Sequence, residues 1–310
     1  MRTWDRDGGT ALGSSRTNPF RHQGSDGKRH DRSGEVLKNI EALRLDAVVA
    51  VGGEDTLGVA RRLAEAGAPV VGIPKTIDKD LSATDYTLGF DTSVRTVADI
   101  VERSRTPAGS HHWVQVVEVM GRHAGHLAFW SGLAGGAFLI LIPEHRFEMA
   151  RVYQLIDERL SFRHMDRKYP RYAVIVVAEG AVAAGGGEIT VDDAKDEFGH
   201  TRLGGIGGWL AEKIRKDTPH DARSVALGHP QRGGPPSAVD RHMGWLFGIA
   251  AVEAALARKW GMMVSARGVA PACDLSLVPL GDAVAKLNLV DVPRYYDTER
   301  YAPRRQVLHL

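Results

Sequence analysis

A chain of 310 residues is long enough for one large α/β unit or for two lobes sharing a cleft. Its 43% hydrophobic and 25% charged residues exclude wholesale disorder, and a net charge of only +2 excludes nucleic-acid binding through overall basicity. The single cysteine, Cys273, excludes an internal disulfide framework and a cysteine-held zinc site, so a cytoplasmic setting is expected.

Residues 1–34 are polar, and Met1 to Gly9 carries charges without an apolar run, so no secretory leader is expected. An alternation of helix and strand follows. The pattern predicts a helix over 35–45, a strand from Asp46 to Val51 ending in Gly52-Gly53, a helix from Thr56 to Ala66 and a strand from Pro69 to Ile73. Next come a helix from Asp91 to about Ser104, a strand from Trp113 to Glu118, a helix from Gly121 to Leu133 and a strand from Phe138 to Ile142. The alternation continues with a helix over 148–163, a strand from Tyr172 to Ala178 and a glycine-rich break at 185–187. A helix over about 205–216, a strand from Arg223 to Leu227 and a long helix from about Ser237 to Lys259 complete it.

The longest apolar run, Gly132 to Pro143, falls short of the roughly 20 residues a membrane helix needs, so no membrane partner is expected. Near-continuous Val, Ile and Ala strands between helices predict an α/β fold with parallel sheets covered on both faces. In such folds ligands sit beyond the carboxyl ends of strands. The informative loops are therefore those after Val51, Ile73, Glu118, Ala178 and Leu227.

The first of these is Gly52-Gly53-Glu54-Asp55-Thr56. Two glycines before a helix allow backbone N–H groups to approach an anion, and Glu54 or Asp55 suits a hard cation such as Mg²⁺. A tight turn with an acidic helix start is the equally open alternative. The second loop, Gly72 to Asp80, places Asp78 and Asp80 two residues apart beside Thr76, Lys75 and Lys79. An extended segment would aim both carboxylates to one side, one to accept a proton from an attacking hydroxyl and one to help hold metal.

Here the chain resembles the phosphofructokinase family. That family carries Pro-x-Thr-Ile-Asp-Asn-Asp at this point, followed by Thr-Asp-Tyr-Thr-x-Gly-Phe-x-Thr-Ala. This sequence has Pro74 to Asp80 and then Thr84 to Ser93. It continues in register through Val116 to Arg122, Glu179-Gly180 and Leu227 to Gly234. The resemblance implies two Rossmann-like lobes with the active site in the cleft between them. The larger, donor-binding lobe would take 1–89 and 231–285; the smaller, sugar-phosphate lobe would take 90–230 and 286–310.

Carried onto this chain, the resemblance makes Asp78 the general base for the sugar 1-hydroxyl, Thr76 a contact to substrate or transferring phosphate, Lys75 a contact to pyrophosphate and Asp80 a carboxylate associated with metal, all in the catalytic group. Gly52, Gly53, Asp55, Thr56 and Arg16 would bind the phosphoryl donor, and Glu54 and Asp80 would serve Mg²⁺. Met120, Gly121, Arg122, Glu179, Arg223, His229 and Arg232 would bind fructose 6-phosphate, with Arg122 also among the catalytic residues. Some of that cluster reaches a neighbouring subunit in the family, which implies a homo-oligomer. ATP-using bacterial members carry glycine where Asp55 stands, and usually where Lys75 stands; members using pyrophosphate resemble this chain at both. The expected donor is therefore pyrophosphate, with ATP as the alternative.

The sequence departs from the family pattern in three places. Family members carry a strand and a Gly-Gly-rich loop ahead of the Gly8-Gly9-Thr10 match, and this chain is expected to lack that unit and its backbone donors to the phosphates. Trp113 stands where an arginine is common, and Glu54 and Lys79 replace an aspartate and an asparagine. A non-catalytic family member is the second reading. An unrelated lipid or dinucleotide kinase sharing only the glycine loop is the third, and the Asp78 loop and Gly228 to Gly234 weigh against it.

Overall fold

In a computed structural model the described residues are 6–15, 17–24, 26–160, 171–195 and 201–305. The principal elements run α1 (Ser33–Ala42), β1 (Val48–Gly52), α2 (Glu54–Glu65), β2 (Val70–Pro74), α3 (Phe90–His111), β3 (Val114–Val119), α4 (His126–Ala134) and β4 (Leu139–Leu141). They continue α5 (Met149–Leu160), β5 (Ala173–Ala178), α6 (Ile206–Asp217), β6 (Ala222–Ala226), α7 (Ala238–Leu256), β7 (Met262–Val269) and β8 (Ala272–Pro279). The chain divides into two units: Met1–Thr92, Ala194–Thr201 and Gly233–Asn288 form the first, and Ser93–Asp193, Arg202–Arg232 and Leu289–Leu310 the second.

The first unit holds a four-stranded sheet in the order β8-β7-β2-β1. β1 and β2 are parallel, as are β2 and β7, whereas β7 and β8 form an antiparallel pair. The Val70-Val71-Gly72-Ile73 run is buried throughout because it lies between two layers. Val70 packs with Leu57, Met263 and Leu280 on one face, while Val71 and Ile73 pack with Met243, Phe247 and Val264 on the other. This alternation is the two-residue period of a strand covered on both sides.

The second unit holds a wholly parallel sheet in the order β6-β3-β5-β4. β3 and β5 are buried at every residue, as near-continuous apolar central strands must be. Parallel register brings Val119 level with Ala178, and Glu118 level with Ala226. The loops after β3, β5 and β6 therefore leave the same edge of the sheet. The chain is α/β with mainly parallel sheets covered by helices, and no described helix is long and apolar enough to cross a membrane.

Three details differ from the sequence expectations. Residues 121–125 are not helical: Gly121 has φ 141, outside any helix, and α4 begins only at His126. α3 runs past Ser104 to His111 with Pro107 inside it; Ala108 is fully buried there, and His112 ends the helix at φ 60. The β7–β8 hairpin lies beyond the last element read from the pattern. It closes the first sheet with the one antiparallel pairing of the two four-stranded sheets.

Candidate active site

In the first unit the loops after β1 and β2 pack against each other. The Lys75 N–H donates to Gly52 O over 2.8 Å, and a Cβ placed on Gly53 would lie 3.4 Å from Thr76 Cβ. Glu54 and Asp55 occupy the first turn of α2, where carboxylates complement the partial positive charge of a helix N-terminus. Thr56 turns its side chain back over Gly52, and a Cβ there would come within 2.4 Å of it. Lys75 is exposed beside this corner. Arg16 lies outside the described residues.

The second loop is built around Thr76, which is buried. Its hydroxyl accepts from the Asp78 N–H at 3.1 Å and donates to Asp78 Oδ2 at 3.3 Å. Its carbonyl accepts from the Thr87 hydroxyl at 2.8 Å. Leu88 N–H in turn donates to Pro74 O at 3.0 Å, so the segment 84–90 braces the loop from behind. That segment is anchored by Asp240 on α7, which is 6% exposed. Asp240 Oδ1 accepts from the Tyr86 hydroxyl at 2.6 Å and from Gly89 N–H at 2.8 Å, while Oδ2 accepts from both the N–H and hydroxyl of Thr92. The segment is not extended, however. Lys79 has φ 54, so strand alternation does not set the directions of Asp78 and Asp80.

Asp80 is a strongly perturbed carboxyl. Burial, and then the neighbouring charges of Asp78, Glu54 and Asp55, push it up to about 7. Its Oδ1 is buried without a hydrogen-bond partner. An orphaned carboxylate oxygen among like charges is stabilised by a cation, and a donor set of oxygens fits Mg²⁺. No cluster of three or more metal-ligating His, Cys, Asp or Glu side chains forms among the described residues. Mg²⁺ does not require one, since it usually takes one or two carboxylates and completes its shell with phosphate oxygens and water.

In the second unit the loops after β3 and β5 interlock. Gly180 N–H donates to Gly121 O at 3.1 Å, and Glu179 N–H donates to Val119 O at 2.8 Å. Position 180 admits only glycine, because a Cβ would lie 1.9 Å from Arg122 O. The loop after β6 joins them through Gln231, which is 1% exposed. Gln231 Oε1 accepts from Met120 N–H at 3.1 Å, its side-chain nitrogen donates to Gly228 O at 2.8 Å, and its carbonyl accepts from Ser93 Oγ at 2.8 Å. Arg232 Nε lies 2.9 Å from Met120 Sδ. Met120, Gly121, Arg122, Glu179, His229 and Arg232 thus belong to loops leaving one edge of the sheet.

Arg223 is placed elsewhere. It stands level with Gln115, three residues below that edge, or about 10 Å at 3.3 Å per residue. It pairs with Asp221 at 3.2 Å and lies 5.5 Å from the centre of the Trp113 ring. Sequence reasoning gave no role to Gln231, Asp240 or Glu118. Glu118 is a buried carboxylate whose oxygens accept from Gly205 N–H (3.0 Å) and Gly207 N–H (2.8 Å), fixing the start of α6. The signal for Gln231 was its place inside Gly228 to Gly234; that for Asp240 was an acid on an otherwise apolar helix.

A fold with two α/β units, a Thr76–Asp78–Asp80 loop and a Met120–Arg122 loop locked to Gly180 defines a class of phosphoryl-transfer protein. The family model described as Phosphofructokinase matches residues 1–255, and the chain belongs to the phosphofructokinase family. It is 47% identical over 292 residues to the pyrophosphate–fructose 6-phosphate 1-phosphotransferase of Amycolatopsis methanolica, covering 94% of this chain and 80% of that protein. It is 43% identical to the ATP-dependent 6-phosphofructokinase 2 of Streptomyces coelicolor, covering 94% of this chain and 81% of that one. Among solved structures, the pyrophosphate-dependent phosphofructokinase of Marinobacter aquaeolei shares the fold with a TM-score of 0.76 at 23% identity, over 96% of this chain and 71% of that chain.

Proposed function

We propose that this chain transfers a phosphoryl group from pyrophosphate to the 1-hydroxyl of fructose 6-phosphate, giving fructose 1,6-bisphosphate and phosphate. The observation that carries the reading is the Asp78 carboxylate, oriented by the Thr76 hydroxyl beside the orphaned Asp80 oxygen. Asp78 accepts the proton of the 1-hydroxyl as that oxygen bonds to phosphorus; the bridging P–O bond breaks and the departing phosphate keeps the electron pair. Thr76 holds Asp78 in place, and Lys75 and the backbone at Gly52-Gly53 with Thr56 meet the donor's charge. Asp80, with Glu54 near it, would hold the Mg²⁺ generally used in this family, which when bound neutralises charge on the donor phosphates.

On the sugar side, Met120, Gly121 and Arg122 receive the substrate, Glu179 accepts from a sugar hydroxyl, and His229 and Arg232 meet the 6-phosphate. Arg223, displaced from that group along β6, serves the sugar phosphate of a neighbouring copy, so the working form is a homo-oligomer. The setting is the cytoplasm, where these phosphorylated substrates occur. Pyrophosphate is favoured over ATP by Asp55, whose bulk and charge oppose a nucleotide α-phosphate, and by the relatives that share 47–48% identity. ATP is the alternative donor, because relatives named as ATP-dependent share 41–43%.

The test is formation of fructose 1,6-bisphosphate by purified protein with Mg²⁺, with pyrophosphate and ATP supplied separately. Turnover with pyrophosphate alone is expected; turnover with ATP alone would reverse the donor assignment.

A further inference from the structure

The bend between the two carboxylates of the Asp78 loop is made by a lysine in a conformation lysine seldom adopts. Lys79 has φ 54, in the left-handed region that asparagine and glycine enter readily and long side chains do not. Such a residue persists only where its surroundings over-determine it. Prominent in those surroundings is a residue about 200 positions later in the chain. Asn288 donates its side-chain N–H to Lys79 O at 2.8 Å and its backbone N–H to Asp80 O, also at 2.8 Å. Leu81 and Leu287 form an antiparallel bridge beside it, so the two strands of chain run locked together.

We infer that Asn288 is a positioning residue for the phosphoryl-transfer site: by gripping the carbonyls of Lys79 and Asp80 it holds the left-handed bend that sets Asp78 and Asp80 relative to each other. The inference rests on the functional reading above for the roles of those carboxylates. Its physical content is local. Rotation about the Lys79–Asp80 peptide swings the Asp80 side chain without moving Asp78, whose orientation is fixed from the other side by Thr76. The Lys79 ammonium lies 5.3 Å from the centre of the Phe90 ring, which steadies the side chain, while Asn288 holds the carbonyls of Lys79 and Asp80. Asn288 lies outside the motifs quoted above, and its contact joins the Asp78 loop to the segment after β8.

The experiment is Asn288→Ala, with Lys79→Asn as the rescuing change, each made in the whole chain. Asn288→Ala keeps the backbone donor and removes the side-chain one. It is expected to lower kcat about tenfold while KM for both substrates stays within about twofold, the pattern of a lost transition-state alignment. Hydrogen–deuterium exchange at the Asp80 and Leu81 amides should rise about tenfold at unchanged global stability, marking a local opening. Adding Lys79→Asn to Asn288→Ala should recover most of the lost kcat, because asparagine holds the left-handed bend with less help. Unchanged exchange, or a kcat loss that Lys79→Asn does not relieve, overturns the inference. If the parent chain shows no turnover with either donor, the functional reading fails and Asn288 loses its proposed role with it. The exchange measurement then reports whether the bend-holding geometry stands by itself.

Discussion

The backbone N–H of Met120 donates to the side-chain oxygen of Gln231 over 3.1 Å, so the loop after β3 takes its position from a residue 111 places away. The same amide group reaches Gly228 at 2.8 Å, and Arg232, the next residue in the chain, lies against Met120. Gln231 is thus the joint between the two loops that carry Arg122 and Arg232. Replacing it with leucine keeps the volume but removes both bonds and leaves the Met120 N–H without its partner. We expect Gln231→Leu to raise KM for fructose 6-phosphate about tenfold with kcat within about threefold, on the scale of one or two net hydrogen bonds. Steady-state kinetics check this, and an unchanged KM would show that the two loops keep their places without the joint.

Asp78 is held by Thr76 through two hydrogen bonds, which orient one carboxylate oxygen and leave the other for a proton. Asp78→Asn retains the shape and abolishes the basicity. The expected result is a kcat lower by at least about 10²-fold with KM little changed, the usual contribution of a general base. Normal turnover by this variant would move the proton to a different acceptor.

Asp55 lies in the first turn of α2, next to the Gly52-Gly53 corner. On the proposed reading, its carboxylate adds negative charge where a nucleotide's inner phosphate would lie. Asp55→Gly is expected to raise kcat/KM for ATP relative to pyrophosphate by about tenfold, equal to roughly 1.4 kcal/mol of discrimination. Competition between the two donors measures the ratio directly, and a constant ratio would remove Asp55 from donor choice.

Glu144 offers a pH-dependent prediction away from the chemistry. One oxygen accepts from Gly125 N–H at 2.8 Å and Val290 N–H at 2.9 Å, while the other is buried without a partner. Burial raises its pKa above the ordinary 4.5 despite those bonds. A carboxyl with a raised folded-state pKa binds its proton more tightly folded than unfolded. Its contribution to stability is therefore fully present below about pH 4.5 and is lost as pH rises through the folded value. Glu144→Gln, which cannot ionise, should flatten that decline. Denaturant midpoints for both proteins from about pH 4 to 8 test it, and superimposable profiles would sink it.

The five candidate loops at the strand ends were legible because each combines strand-ending hydrophobic runs with short-range polar patterns: Gly52-Gly53, Asp78 and Asp80, Met120 to Arg122, Glu179-Gly180, and Gly228 to Gly234. What escaped is long-range. Asp240 meets Tyr86 across 154 residues, Gln231 meets Met120 across 111, and Asn288 meets Lys79 across 209. Spacing along a chain carries no trace of such pairings until the sheets are assembled. Local backbone detail was hidden for a different reason. Gly121 sits among helix-compatible neighbours although its φ is 141 and α4 begins only at His126, while Lys79 gives no compositional hint of a left-handed bend. The position of Arg223 also needed the register of β6 on β3, because strand edge and strand middle look alike in sequence.

The order of the first sheet, β8-β7-β2-β1, has a consequence for biosynthesis. β2 lies between β1, which is made just before it, and β7, which is made only after the second unit's four strands. At about 5–20 residues per second, the ~190 residues separating β2 from β7 take roughly 10–40 s to emerge. Throughout that interval Val71 and Ile73 lack the Met243, Phe247 and Val264 side chains that cover them in the finished sheet. β2 is therefore completed well after it is made, and until β7 pairs with it the growing chain carries an open strand edge.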